Sequence, residues 1–252
     1  MKIVLIGAGN VATHLGLALH KAHHDIVQVY SRTTQSAQLL AEQMSCAHTS
    51  DIQSLYPAAD VYIYAVKDDF VQHIMDQVHL PHAIHLHTAG SIPLYAPHEG
   101  HYGVIYPLQT FSKERSVDFR NIPICIEGDS DQTTQAIHAL AQSISTSVHR
   151  ISSEQRRQLH LAAVFACNFV NALYANAAEI LQLSHMPFDL LLPLIQETAA
   201  KVQTLSPVEA QTGPAKRDDK GVMQRHLSLL SSPTQQEIYR LLSHDIHTRH
   251  KQ

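Results

Sequence analysis

Three small residues near the N-terminus have the spacing of a phosphate-binding turn. The segment VLIGAGNVATHLGLAL carries Gly7, Gly9 and Ala12 as G-x-G-x-x-A, after a short apolar run and at the start of a stretch with helical periodicity. In such a strand–turn–helix unit the first glycine permits the tight turn, the second lets backbone N–H groups approach a pyrophosphate, and the small third residue lets the helix pack on the strand. The pattern predicts a dinucleotide site that also includes Asn10 and Val11, with a merely tight turn as the alternative.

The residues after the second apolar run, VYSRTT, indicate which dinucleotide binds. An acid at this place would hold the ribose 2′-hydroxyl of NAD, whereas a cation accommodates the 2′-phosphate of NADP. Tyr30 and Ser31 stand where that acid would be, and Arg32 offers a guanidinium fork beside the hydroxyls of Ser31 and Thr33. We therefore predict NADP, with a surface arginine after a strand as the alternative.

Three further polar segments each follow an apolar run: AVKDD at 65–69, HTAGS at 87–91 and YPLQTF at 106–111. In a parallel sheet all three lie at the carboxyl edge, where ligands bind. The predicted cofactor contacts are Val66, Lys67, Thr88 and Gly90. The predicted borders of a substrate pocket are Ser91, Tyr106, Gln109 and Thr110. Loop polarity explains any one of these residues, but three converging loops favour a small-molecule site.

The elements that must position these residues can be read from the hydrophobic pattern. From residue 1 to about 151, β-rich apolar runs alternate with helical stretches, the last of them a helix at 131–144 and a strand at 147–151. This alternation is typical of βαβ units on a largely parallel sheet. The remainder shows only helical periodicity, and we predict helices at about 154–183, 188–202, 220–230 and 234–248. The predicted fold is α/β, with a Rossmann domain at 1–151 and an all-α domain at 152–252.

The start of the first long helix has its own signal. Ser152 followed by Gln155 fits a capping box, in which each side chain bonds to the backbone N–H of the other residue.

The composition excludes several other classes of function. A formal net charge of −4 over 252 residues offers no basic footprint for nucleic acid. No run of about 18 apolar residues occurs, and the N-terminal apolar run is too short for a signal segment, so we expect a cytoplasmic protein without membrane contact. Cys46, Cys125 and Cys167 lie far apart, which indicates neither a disulfide framework nor a zinc site. His85 and His87 have a period-two spacing that a metal could use, but they lack Cys or acidic partners, and we predict no metal.

Four segments behind the glycine turn resemble a known family. HTAGSIP, YPLQTFSKE, HLAAVFACNFVNALYANAAEIL and QTGPAKRDD, in this order, resemble Rossmann-like bacterial proteins that are described as NADP oxidoreductases and whose helical half is a domain of unknown function. The resemblance covers essentially the whole chain. The family is similar to pyrroline-5-carboxylate reductase, 6-phosphogluconate dehydrogenase and related β-hydroxyacid dehydrogenases, whose helical domain builds the substrate site and a dimer interface. It implies NADP, this fold and a homodimer through the helical domain, and it leaves the substrate open.

One departure from these relatives concerns the proton donor. The β-hydroxyacid dehydrogenases carry a catalytic Lys and then an Asn on the first long helix of the second domain. Here Asn168 and Asn171 could supply the amide, but the preceding turns offer His160 and Val164, so the Lys is missing. Because imidazole titrates near neutrality, we predict His87 or His160 as the general acid or base.

Asn168 and Asn171 are predicted to orient the substrate. On a uniform α-helix they lie within one turn of each other, while His160 falls near the same stripe but about 16 Å along the axis. Two amides on an apolar face are costly to bury without partners, which favours a ligand over an interhelical hydrogen bond.

The segment QTGPAKRDDKG interrupts the helical half with a turn and a cluster of charges. The family commonly reads Arg-Gly-Asp after Thr-Gly-Pro, whereas this chain reads Arg217-Asp218-Asp219. We predict that Asp218 or Asp219 caps the next helix and that Thr212 and Arg217 bind a carboxylate or phosphate of the substrate. A capped connection with a surface salt bridge is the alternative.

Two functions are consistent with these residues. The first is an NADP-dependent oxidoreductase that moves a hydride between the nicotinamide and a small, anionic keto, imino or hydroxy acid. The second is a non-catalytic NADP-binding sensor or regulator, which the missing Lys motivates.

Overall fold

The computed structural model describes residues 1–251, and one sheet organises the first part of the chain. The strands are β1 (Lys2–Ile6), β2 (Asp25–Tyr30), β3 (Ala47–Thr49), β4 (Val61–Tyr64), β5 (Ile84–His87), β6 (His101–Pro107), β7 (Ile124–Gly128) and β8 (Val148–Arg150). They pair in the order β3-β2-β1-β4-β5-β6-β7-β8.

The sheet is mostly parallel, as predicted. Strands β1 to β6 run parallel, β7 lies antiparallel to β6, and β8 runs parallel to β7. The strand order reverses between β1 and β4, so the loops at the carboxyl ends of these strands leave in opposite directions and open a crevice. Sequence patterns did not predict β3, because its residues are mostly exposed and show no apolar alternation.

Helices alternate with the strands as far as β8, and the rest of the described chain is helical. With the sheet lie α1 (Asn10–Lys21), α2 (Thr34–Met44), α3 (Asp68–Met75) and α4 (Asp131–Gln142). After it come α5 (Ser153–Ala163), α6 (Val170–Leu183), α7 (Leu192–Lys201), α8 (Pro207–Ala210), α9 (Lys220–Leu229) and α10 (Pro233–His250). The predicted helical stretches are confirmed to within a few residues, and a short 3₁₀ turn at Phe188–Leu191 opens the stretch that contains α7.

Apolar side chains cover both faces of the sheet. The four residues of β4 and four of the five in β1 are buried, which is why these strands read as continuous apolar runs. One face forms a cluster with α1, α2 and α4 that includes Leu15, Leu40 and Ile137. The other forms a cluster with α3 that includes Val71 and Met75.

The long helical stretch that begins at Ser153 is not uniform. The Ser152 hydroxyl accepts a hydrogen bond from the Gln155 N–H and the Gln155 side chain accepts one from the Ser152 N–H, which confirms the capping box. Between α5 and α6, Val164–Phe169 is π-helical. A π-helix holds more residues per turn than an α-helix, so positions beyond it lose the angular relation to positions before it. The expected common stripe of His160 and Asn171 assumed a uniform α-helix and does not hold.

The chain divides into two compact units, Met1–Cys167 and the residues from Asn168 onward. The division falls inside the long helical stretch, whereas the predicted boundary after residue 151 lies at its start and stays a prediction. In the described part of the second unit, Ala215 is the only buried residue. The helical unit as described therefore has almost no apolar interior of its own.

One helix among residues 1–251 is long and apolar enough to cross a membrane. It runs over 31 residues, Ser153–Leu183, and its most apolar 18-residue window has a mean hydropathy of 1.4 with none of that window buried. Length and composition alone do not distinguish a membrane span from a helix whose apolar face another protein surface covers.

Candidate active site

The glycine turn between β1 and α1 has the geometry that a bound phosphate requires. Gly7 has a φ of +126°, and a Cβ at this position would overlap the carbonyl oxygen of Ala65, so only glycine fits. A Cβ on Gly9 would have no neighbour within 4 Å, which leaves the backbone open. Gly9 is the N-cap residue of α1 and has no side chain that could bond to the first N–H groups of the helix. The first turn of α1 also holds no acid. The N–H groups at this helix start are therefore available to an anion.

A cavity of about 380 Å³ opens beside this turn, at the crevice between β1 and β4. Its walls include seven of the predicted cofactor residues: Gly7, Gly9, Ser31, Arg32, Thr33, Val66 and Lys67. None of the residues that line the cavity is acidic. This chemistry suits a dinucleotide that carries an additional phosphate.

Arg32 stands at the rim of this cavity in an unpaired state. Its guanidinium lies over the ring of Phe70, 4.8 Å from the centroid, and it has no ion pair among residues 1–251. Thr33 precedes α2 but forms no capping hydrogen bond with its backbone, because the Thr33 hydroxyl donates instead to the Ser36 hydroxyl at 2.7 Å, and the first turn of α2 holds no acid. A cation and a second open helix start thus lie together after β2, where a ribose 2′-phosphate would fit.

Asn10, Val11 and Ala12 continue the turn into α1. The Asn10 side chain is engaged elsewhere, because its amide donates a hydrogen bond to the Phe111 carbonyl at 2.7 Å. Asn10 can therefore serve a phosphate only through its backbone. Val11 is half-buried, and Ala12 is fully buried where the helix packs on the sheet.

The end of β6 and the loop after β5 both contact α5 within the first unit. The Tyr106 hydroxyl lies 3.0 Å from Nδ1 of His160. A Cβ on Gly90 would come within 2.6 Å of the same nitrogen, so the imidazole packs on the bare backbone there. Tyr106 is half-buried, and burial raises its pKa to about 12. Two predicted residues, one for the substrate and one for proton transfer, thus form a direct pair.

Neighbouring loop residues have their own partners. The exposed Ser91 hydroxyl donates a hydrogen bond to the Asp68 carboxylate. Thr88 is buried and its backbone N–H donates to the Tyr64 carbonyl at 3.2 Å. Gln109 and Thr110 are both exposed and contact each other through the Thr110 N–H and the Gln109 side-chain oxygen.

His87 occupies a different environment from His160. It is fully buried, its Nε2 lies 3.2 Å from the Pro93 carbonyl, and its Nδ1 accepts a hydrogen bond from the Ala89 N–H. Burial, with the positive charge of Arg156 as a second cause, lowers its pKa to about 4. Both ring nitrogens are engaged and no ring atom reaches solvent, so this arrangement supports the loop rather than proton exchange with a ligand.

Arg156 anchors the start of α5, a role that no sequence pattern predicted. The side chain is fully buried, with Nη1 2.5 Å from a Glu127 carboxylate oxygen and Nη2 donating to the Ile92 carbonyl at 2.6 Å. Glu127 also accepts hydrogen bonds from the backbone and hydroxyl of Ser153. A buried charge is tolerated only with such partners, and the cluster ties α5 to β7 and to the loop after β5.

The remaining predicted residues belong to the helical unit. Asn168 and Asn171 are exposed, so the expected cost of burying two amides does not arise within one chain. Thr212 lines an apolar cavity of about 440 Å³ in this unit, and Arg217 is exposed without an ion pair among residues 1–251.

The segment around Arg217 confirms the predicted cap. The Asp219 carboxylate accepts a hydrogen bond from the Val222 N–H at 3.0 Å and so caps α9. Asp218, which stands where the family commonly has glycine, has a φ of +53°. The backbone thus takes the left-handed conformation that glycine favours, and aspartate is among the residues that tolerate it.

Sequence reasoning missed three functional candidates: Asp68, Phe70 and Arg156. Their partners Ser91, Arg32 and Glu127 lie more than 20 residues away in the chain. The two adjacent acids after Lys67 were a visible signal for Asp68, but nothing local marks the other two.

Family models match both parts of the chain. Residues 2–86 match the family described as "NADP oxidoreductase coenzyme F420-dependent", and residues 122–246 match the domain of unknown function DUF2520. Among proteins with curated functions, none matches the chain significantly.

Solved structures give the nearer comparison. A Bacteroides fragilis protein described as a "putative NADP oxidoreductase" is 48% identical, with 98% of each chain covered and a TM-score of 0.94. The 1-pyrroline-5-carboxylate reductase of Streptococcus pyogenes is 16% identical, with 98% of each chain covered and a TM-score of 0.66. A reductive aminase of Aspergillus terreus, solved with NADPH and ethyl levulinate, is 14% identical, covers 98% of this chain and 92% of its own, and has a TM-score of 0.75.

The Streptococcus pyogenes and Aspergillus terreus structures, at 16% and 14% identity, show a shared fold alone, whereas the Bacteroides fragilis protein shows the family. The glycine turn, the open helix starts and the acid-free cavity fit the NADP that gives this family its name. The chain therefore belongs to the NADP oxidoreductase family in which a Rossmann domain is followed by a helical DUF2520 domain.

Proposed function

We propose that the protein is an NADP-dependent oxidoreductase that transfers a hydride between NADP(H) and a small keto, imino or hydroxy acid. The observation that carries this proposal is the cavity of about 380 Å³, which is lined by the glycine turn, by Arg32 and by two helix starts whose N-cap residues form no side-chain hydrogen bond to the helix backbone, and by no acidic residue. Such a site favours a ligand with both a pyrophosphate and a 2′-phosphate.

The proposal assigns a cofactor contact to each group of predicted residues. The backbone of Gly9, Asn10 and Val11 would hold the pyrophosphate, and Arg32 with the hydroxyls of Ser31 and Thr33 would hold the 2′-phosphate. The loops after β4 and β5, with Val66, Lys67, Thr88 and Gly90, would border the nicotinamide, as expected at the carboxyl edge of the sheet. When bound, the cofactor supplies the hydride, while the protein supplies position and charge.

A proton accompanies the hydride, and His160 is the better of the two histidines for proton transfer. Both ring nitrogens of the buried His87 are engaged, whereas Nε2 of the partly exposed His160 has no hydrogen-bond partner among residues 1–251. We assign Asn168 and Asn171 to substrate orientation, and Thr212 and Arg217 to an anionic group of the substrate, as the sequence predicts.

The substrate class rests on chemical precedent on the same fold. The reductase from Streptococcus pyogenes takes its name from a cyclic imino acid, and the Aspergillus terreus enzyme was solved with ethyl levulinate. A shared fold is an analogy and not a substrate assignment. A panel of small keto, imino and hydroxy acids is therefore the appropriate screen.

A non-catalytic NADP sensor is the second candidate, favoured by the absence of the Lys that the β-hydroxyacid dehydrogenases use. Turnover of any acid in the panel would reject the sensor. Tight NADPH binding with no turnover across the panel would favour it.

The first experiment is a paired titration with NADPH and NADH, followed by nicotinamide fluorescence in a chain that contains no Trp. We expect clearly tighter binding of NADPH. Removing the guanidinium by Arg32→Ala should weaken NADPH binding about 10-fold or more and leave NADH nearly unchanged, because a hydrogen bond to a charged group contributes about 1.5–3 kcal/mol.

The matched control is Arg115→Ala, which removes another exposed arginine that does not line the cavity. It should bind both cofactors as the unaltered protein does. An Arg32→Ala protein that keeps its preference for NADPH would contradict the assignment, and failure of both cofactors to bind would end the oxidoreductase proposal.

We also propose that the protein is a cytoplasmic homodimer held together by its helical half. Large apolar side chains are exposed along the helical unit, among them Leu183 (70% exposed), Leu229 (79%) and Leu241 (63%). An apolar surface of this extent on a helical unit with almost no interior of its own is typical of an interface that a second chain covers.

A further inference from the structure

Tyr106 and His160 form a contact that the proposed function does not yet use. The Tyr106 hydroxyl lies 3.0 Å from Nδ1 of His160, with the two rings nearly perpendicular at 75°. The imidazole rests on the backbone of Gly90, where a Cβ would come within 2.6 Å of Nδ1. One nitrogen of His160 therefore faces tyrosine while the other remains free to exchange protons with water.

Rigid elements set the distance between the two groups. Tyr106 lies in β6, which is paired on both sides within the sheet. His160 lies one helical turn after Arg156, whose buried guanidinium is bonded to Glu127 and to the Ile92 carbonyl. The same cluster therefore fixes both α5 and the loop after β5 in place, and the pair is positioned before any ligand arrives.

The charges around Tyr106 suit a group that keeps its proton until a strong base forms beside it. Burial is the main reason why the pKa of Tyr106 is raised to about 12; Cys125 and the Asp68 carboxylate act in the same direction, and the Arg156 guanidinium opposes them. The phenol is therefore protonated at neutral pH. An alkoxide, the product of hydride addition to a carbonyl, is a stronger base than this phenolate and can take its proton.

We infer that Tyr106 donates the proton to the substrate heteroatom and that His160 returns a proton to Tyr106 from solvent. This inference rests on the proposed function. In the reductive direction, hydride adds to the substrate carbon and the π electrons of its C=O or C=N bond move to the heteroatom. The heteroatom takes the Tyr106 proton, the phenolate regains one from Nδ1 of His160, and His160 recovers its proton from water at Nε2. The substrate gains one hydride and one proton in total, without the missing Lys.

A tyrosine in this position would sense the charge of the nicotinamide, and a structural tyrosine elsewhere would not. The test is a phenolate titration at 295 nm by pH jump, without cofactor, with saturating NADP⁺ and with saturating NADPH. The chain has nine Tyr and no Trp, so phenolate absorbance is unobscured by indole. We expect NADP⁺, whose ring is cationic, to lower the pKa of one tyrosine by about one unit or more relative to NADPH.

That NADP⁺-dependent change should be absent in Tyr106→Phe and present in Tyr95→Phe. Tyr95 is a suitable control because its hydroxyl donates a hydrogen bond to the Asp76 carboxylate at 2.7 Å and contacts neither Tyr106 nor His160. NADP⁺ that binds without shifting any tyrosine would overturn the inference and leave the proposed function intact. NADP⁺ that does not bind would instead refute the proposed function.

Kinetics provide the second measurement on any acid that the panel shows to be reduced. Tyr106→Phe should lower kcat by about 100-fold or more, in the range of general acid catalysis, with the NADPH dissociation constant unchanged. His160→Ala should lower kcat less, and added imidazole should restore part of the rate. An unchanged kcat in Tyr106→Phe would overturn the inference.

Discussion

His87 makes the stability of the protein depend on pH through a single side chain. Burial lowers its pKa from 6.5 to about 4, so the folded state holds it neutral while the unfolded chain protonates it below about 6.5. Its contribution is complete above pH 6.5 and is lost as the pH falls towards 4. Between pH 7.5 and 5.0 the loss is about 2 kcal/mol in the free energy of unfolding.

Urea unfolding at pH 7.5 and 5.0, at one protein concentration, measures this loss. His87→Asn keeps a donor and an acceptor but cannot titrate, so its free energy of unfolding should fall by about 2 kcal/mol less than that of the unaltered protein. His20→Asn, at an exposed position on α1, should show the full pH dependence. An equal loss in His87→Asn and in the unaltered protein would mean that this histidine is not held neutral by the fold.

The two glycines of the turn between β1 and α1, Gly7 and Gly9, meet different requirements. Gly7 is needed by the fold, because its φ is +126° and a side chain would overlap the Ala65 carbonyl oxygen. Gly9 has an ordinary backbone conformation and open space around it, so the fold tolerates a side chain there. We predict that Gly7→Ala lowers the free energy of unfolding by about 1–3 kcal/mol, the cost of a strained backbone.

For Gly9→Val we predict a loss of cofactor binding and not of stability. This variant should keep the melting temperature of the unaltered protein and lose NADPH binding by at least about 10-fold, since the new side chain occupies the approach of the pyrophosphate. Thermal melts and the fluorescence titration, run on both variants, give the comparison. Full NADPH affinity in Gly9→Val would show that the phosphates do not bind at this turn.

At the scale of elements, the hydrophobic pattern predicts almost everything that is regular. The buried strands β1 and β4 read as continuous apolar runs, and the capping box at Ser152 marks the start of α5. The π-helical segment Val164–Phe169 could not be predicted, because the same residues fit an α-helical period. Contacts between distant residues were equally hidden, as the Arg156–Glu127 ion pair shows: neither residue has a local signal, and only the packing of α5 on the sheet brings them together.

At the scale of the whole molecule, the two units differ in how far they bury their apolar side chains. The first unit buries both faces of its sheet, while the described part of the second buries only Ala215 and leaves large side chains such as Leu183 and Leu241 exposed. Exposed apolar surface of this extent is typical of a face that another surface covers. The helix Ser153–Leu183 would suit either a second chain or a lipid surface by its length and composition.

Sedimentation equilibrium without detergent distinguishes these cases. We predict a single species with the mass of two 28.0-kDa chains, and a melting temperature that rises with protein concentration because association stabilises the folded state. Placing charges on the exposed helical surface, by Leu183→Glu with Leu241→Glu, should shift the mass towards one chain. Leu39→Glu, at a position on α2 that is 57% exposed, should leave the dimer unchanged. A stable monomer would refute the proposed dimer, and a protein that stays dispersed only in detergent would show that lipid covers the helical half.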